Sequence, residues 1–134
     1  MGEISDFVHR GAAKITPIDL ERVHKNIPLL KLEFADLKDP HHPHLSEQLG
    51  FLADLVEDFA EGMLEDIPYF TIAEAVFALV YAHRQIDLIP DSLPEYGHSD
   101  DSAVVRAVLI ENQRYFSKYA VDQGKEWEEV STEA

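Results

Sequence analysis

Apolar residues recur along most of this chain at helical spacing, and strand-like alternation is missing. In "ITPIDLERVHKNIPLLKLEFADLKDP" (15–40), Leu20, Val23, Ile27, Leu30, Phe34 and Leu37 return every three or four residues, which places them on one face of a helix. Thr16 stands where an N-cap belongs, Pro17 suits the first helical position, and Asp19 completes a box-like start. Pro28 removes a hydrogen bond and crowds the preceding turn, so a kink or break is predicted near His24 to Ile27, with the stripe continuing through it. The stripe is short for a coiled-coil seam, which favours a packed core face.

A Pro- and His-rich linker, "DPHHPHL", leads to the clearest amphipathic segment, "LSEQLGFLADLVEDFAEGMLEDIP". Leu45, Leu49, Leu52, Val56, Phe59, Ala60, Met63 and Ile67 fall on one face, and Glu47, Asp54, Glu57, Asp58, Glu61 and Glu65 fall opposite. Gly50 and Gly62 each weaken a helix by about 1 kcal/mol relative to Ala, and the sequence supplies no reason for either. Thr71 and Glu74 read as a capping box opening "IAEAVFALVYAHRQ", which is apolar nearly all round and therefore predicts a buried central helix over 72–84. That segment is far short of the ~20 residues a membrane-spanning helix needs. A final helix is predicted to start near Ser99 and to fray into an acidic tail from about 124 to 134, "GKEWEEVSTEA", in which Trp127 docks onto the body or a partner.

The expected architecture is all-α: one domain over 1–134, a compact bundle of four main helices, five with a short one near residues 5 to 13, around the central helix. The 11 Lys plus Arg set against 26 Asp plus Glu give a net charge of −15, which repels nucleic acids and anionic membrane surfaces and favours a basic partner where there is one. The absence of cysteine removes disulfides, thiolate metal sites and cysteine nucleophiles, and a reducing cytoplasm is the expected location. The N-terminal stretch carries no signal-peptide pattern, and Asp6 breaks the myristoylation motif that Gly2 would begin.

The densest chemistry lies in the motif region 81–101, "YAHRQIDLIPDSLPEYGHSDD". Asp87, Leu88, Ile89, Pro90 and Asp91, followed by Pro94, Gly97, Asp100 and Asp101, resemble the signature of the YkvA-like domain family, a bacterial family of unknown function. Gln85 stands where that signature usually has proline, and the membrane-embedded character of many such relatives is not matched here. The resemblance implies no activity, cofactor or catalytic residue.

Most of the motif has a structural account. Pro90 and Pro94 end the central helix, Asp87 and Asp91 suit Asx turns, and Gly97 permits a left-handed backbone. Ser99 caps the last helix, with Asp100 and Asp101 at the positive end of its dipole. A second reading gathers Asp87, Asp91, Asp100 and Asp101 around a hard cation such as Mg²⁺ or Ca²⁺, or uses them as acid/base groups.

On the last helix Asp101 and Asn112 project within the apolar face, and His83 does so on the central one. An expected His83–Asp101 pair follows, with Asn112, Tyr81 or Arg84 as other partners, as a satisfied core histidine or, less favoured, a catalytic acid/base pair. His41, His42 and His44 read as linker residues rather than a zinc site, and His9, His24 and His98 read as isolated. The sequence thus favours a module for protein interaction or assembly, homo-oligomers included, over an enzyme, and calls for no cofactor.

Overall fold

The computed structural model describes residues 2–36, 44–64, 67–82, 98–125 and 127, with no account of the side chains of 2, 3, 5 and 98–102. Six helices and no strand lie among the described residues: α1 (Gly2–Ala12), α2 (Pro17–Ala35), α3 (Leu45–Ala60), α4 (Tyr69–Ala82), α5 (His98–Glu111) and α6 (Gln113–Asp122). The all-α bundle is as expected. Its centre is α4, which packs against α1, α2, α3 and α5 and buries every residue from Thr71 to Tyr81.

The start of α2 follows from its first four residues: the Asp19 backbone N–H donates to the Thr16 hydroxyl at 3.2 Å, and the Thr16 N–H donates to the Asp19 carboxylate at 2.9 Å. The helix runs unbroken through Pro28, so the predicted break does not occur. Val23 and Ile27 before the proline and Leu30 and Phe34 after it are all buried, and this anchoring on both sides outweighs one missing hydrogen bond.

The second amphipathic segment ends earlier than its pattern suggested. Past Ala60, Gly62 takes φ +79°, its N–H donates to the Phe59 carbonyl at 3.1 Å, and the Met63 N–H donates to the Asp58 carbonyl at 2.9 Å. This is a Schellman ending, which accounts for Gly62 and turns Met63, 71% exposed, away from the core where the stripe had placed it. The last helix is likewise divided at Asn112, whose carbonyl still accepts from the Tyr115 and Phe116 N–H groups at 3.0 Å.

Aromatic contacts close the two ends of the core. The Phe7 ring meets Phe77 and Tyr81 edge-on at 5.5 Å, joining α1 to α4. Phe51 meets Phe116 and Tyr119 in the same way, and Trp127 lies against Phe51 and Phe116, so it docks onto the body. Gly11 lets α1 approach closely: a Cβ at this position would lie 2.2 Å from the Phe77 ring.

Candidate functional site

Where α1 crosses the start of α4 and the end of α5, five polar side chains meet: Thr71, Glu74, Asn112, His9 and Glu111. Glu74 and Thr71 lie on the buried face of α4, and Asn112 follows α5 and is also buried. Asn112 Nδ2 donates to Glu74 Oε1 at 2.7 Å and to the Val108 carbonyl at 3.0 Å, while its Oδ1 accepts from the Thr71 hydroxyl at 2.9 Å. These contacts fix the orientation of the amide, because the reverse would set its oxygen against two acceptors. The capping box read at Thr71 and Glu74 is therefore not formed. Helix α4 begins earlier, with the Pro68 carbonyl accepting from the Thr71 and Ile72 N–H groups, which leaves both side chains free to face α5.

His9 completes the group from α1. Its Nε2 lies 2.8 Å from Glu111 Oε1 and 3.5 Å from Glu74 Oε2. A carboxylate only accepts, so the short contact places a proton on Nε2. Nε2 of His9 and the two carboxylates present ligand atoms that all lie within 4.8 Å of one another. Burial pushes the Glu74 carboxyl above its ordinary range; the Asn112 hydrogen bond opposes this, nearby Glu111 adds to it, and His9 opposes it.

His9 was not isolated, nor is His24, whose Nε2 lies 3.1 Å from Glu61 Oε2. Asn112 was legible as a polar group on an apolar face, and the side-chain partners it takes among the described residues are Glu74 and Thr71. His83, Asp87, Pro90, Asp91, Pro94 and Gly97 lie outside the described residues, as does the expected His83–Asp101 pair. Ser99, Asp100 and Asp101 fall in the first turn of α5, with their side chains outside the description.

Other charged contacts brace helices. Lys31 Nζ on α2 reaches Asp54 and Glu57 on α3, both at 2.7 Å. Burial lowers its pKa, but the hydrogen bonds to these two carboxylates more than offset that, and the net shift is upward. The Tyr119 hydroxyl donates to Asp58 Oδ2 at 2.5 Å, and burial together with that carboxylate raises its pKa. A groove of about 460 Å³ between the end of α3 and α6 is lined by Met63, Leu64, Ile67, Tyr115 and Tyr119 with Arg114, Lys118 and Asp122, so apolar walls carry charges of both signs.

The face of α2 opposite its buried stripe is also partly apolar. At about 100° per residue, Ile18, Arg22, Lys25, Leu29 and Leu32 fall along one outer strip. Ile18, Leu29 and Leu32 are 65, 59 and 67% exposed, and Arg22 and Lys25 between them are exposed as well.

The protein is thus an all-α bundle with a polar junction at one end of its central helix. The family described as "Protein of unknown function (DUF1232)" matches residues 71–106, which take in α4 from Thr71 onward and the first part of α5. The match includes Thr71 and Glu74 and stops short of Glu111 and Asn112. No curated protein and no solved structure matches the chain. No helix among the described residues is long and apolar enough to cross a membrane.

Proposed function

We propose that the protein is a helical module for protein interaction or assembly, of the YkvA-like kind, without catalysis of its own. The observation that carries this reading is the outer strip of α2, where Ile18, Leu29 and Leu32 hold apolar area in water although the helix already has a complete inner face. Leucines presented from a rigid helix are suited to an amphipathic helix laid against them. The net charge of −15 steers basic partners toward the chain, and the flexible stems of Arg22 and Lys25 let their own charges turn out into water. The enzyme alternative would use Asp87, Asp91, Asp100 and Asp101, whose side chains are all outside the described residues.

The test uses a synthetic basic amphipathic Leu/Lys helix as probe, alongside light scattering for self-association. The expected result is saturable, salt-sensitive binding that the Leu29→Ser/Leu32→Ser double variant weakens at least about fivefold, since each exposed leucine contributes apolar area to the contact. A dimer dissolved by the same variant would assign the strip to assembly. A monomer whose binding of the probe is absent, or is unchanged in the variant, would overturn the reading.

A further inference from the structure

We infer that His9, Glu74 and Glu111 form a binding site for one divalent transition-metal ion of the zinc type, held between α1, α4 and α5. This inference does not depend on the interaction reading, since α2 contributes nothing to the site.

The donor set selects the ion class. One imidazole nitrogen with two carboxylate oxygens suits Zn²⁺ or Mn²⁺, whereas Mg²⁺ and Ca²⁺ prefer oxygen alone. An ion about 2.0–2.2 Å from each donor separates tetrahedral ligand atoms by roughly 3.3–3.6 Å. The 3.5 Å between His9 Nε2 and Glu74 Oε2 already has that spacing, and the 2.8 Å between His9 Nε2 and Glu111 Oε1 needs to open by about half an ångström. His9 and Glu111 are partly exposed, so both side chains can make that adjustment and the ion has a way in.

Glu74 is what separates this cluster from an ordinary acidic surface. Its side chain is 1% exposed, and the cation facing it would be His9, whose charge depends on protonation. A buried carboxylate demands a positive partner or a proton, and a metal ion meets that demand more strongly than an imidazole does. The Asn112 amide occupies Oε1 and is itself held by Thr71, which leaves Oε2 as the oxygen turned toward His9. Metal ligands are commonly oriented by such outer hydrogen bonds. On binding, the ion replaces the proton that His9 Nε2 donates to Glu111, and that proton moves to Nδ1 or to solvent. Three protein donors leave a tetrahedral ion one further position for water.

The experiment is calorimetric titration of the metal-stripped chain with Zn²⁺, in parallel with Mg²⁺, together with thermal melts. One equivalent of Zn²⁺ is expected to bind and raise the melting temperature, with a chelator reversing both effects and Mg²⁺ producing neither at the same concentration. His9→Gln and Glu111→Gln, at partly exposed positions that should still fold, are each expected to weaken Zn²⁺ binding at least about tenfold. Glu61→Gln, which alters the separate His24 pair, is expected to leave it unchanged. The inference is overturned if Zn²⁺ does not bind, or if binding survives both His9→Gln and Glu111→Gln. It is equally overturned if the bound equivalent is lost only when His41, His42 and His44 are replaced together, which would assign the ion to the linker.

Discussion

Asn112, at the break between α5 and α6, donates a 2.7 Å hydrogen bond to the buried carboxylate of Glu74, thirty-eight residues earlier on α4. This bond sets the polar junction inside the bundle. It explains how a Glu is accommodated on a helix whose neighbouring residues are buried, and why an Asn interrupts an apolar face.

Asn112→Ala should strand the Glu74 carboxylate and the Thr71 hydroxyl without their shared partner, at a cost of about 1–3 kcal/mol. Adding Glu74→Ala then removes the stranded carboxylate, so the double variant should lose less than the sum of the singles, by at least ~0.5 kcal/mol. Denaturant melts of the four proteins measure this. Additive losses would mean that the Asn112–Glu74 bond is not formed in solution.

The pH dependence follows from the direction of the Glu74 shift. Burial first, with Glu111 behind it, raises the folded-state pKa above the ordinary carboxyl value, against the pull of Asn112 and His9. The folded chain then binds more protons than the unfolded one between those two values, so stability from this group is fully present below the ordinary value and is lost as pH rises through the raised one. Glu74→Gln keeps an acceptor for Asn112 but does not titrate. Its melting temperature relative to the parent should therefore improve from about pH 4.5 to about pH 7. A difference that stays constant, or moves the other way, would contradict the raised pKa.

Three glycines should respond with different signs when replaced by Ala. Gly50 lies inside α3 with nothing within 4 Å of an added Cβ, so Gly50→Ala should stabilise by roughly 0.5–1 kcal/mol. Gly62 has φ +79°, where a Cβ is strained, and Gly62→Ala should destabilise by about 1 kcal/mol. At Gly11 the ~1 kcal/mol gain in helix propensity meets the Phe77 ring, which Phe7 and Tyr81 hold in place. Overpacking of this kind costs about 1–3 kcal/mol, so Gly11→Ala should be destabilising on balance. Melts of the three variants check the order, and a stable Gly11→Ala would show that α1 sits further from α4.

The sequence determined by itself whatever depends on neighbours along the chain. Thr16, Pro17 and Asp19 announced the start of α2, and the three-and-four spacing of Val23, Ile27, Leu30 and Phe34 announced its buried face, because caps and amphipathic stripes are local. The nearly all-round apolar surface of α4 likewise required a central position, since only burial on all sides accommodates it. Tertiary structure decided what Thr71, Glu74 and Asn112 do: the Thr-x-x-Glu spacing fits a capping box as well as a buried polar pair, and only the packing of α5 against α4 selects the second. It also decided the place of His9, which is remote in sequence from both glutamates and meets them because Gly11 and the Phe7, Phe77 and Tyr81 rings bring α1 onto α4. Periodicity reports which face of a helix is buried, but not against which other helix, and a site assembled from three helices depends on that pairing.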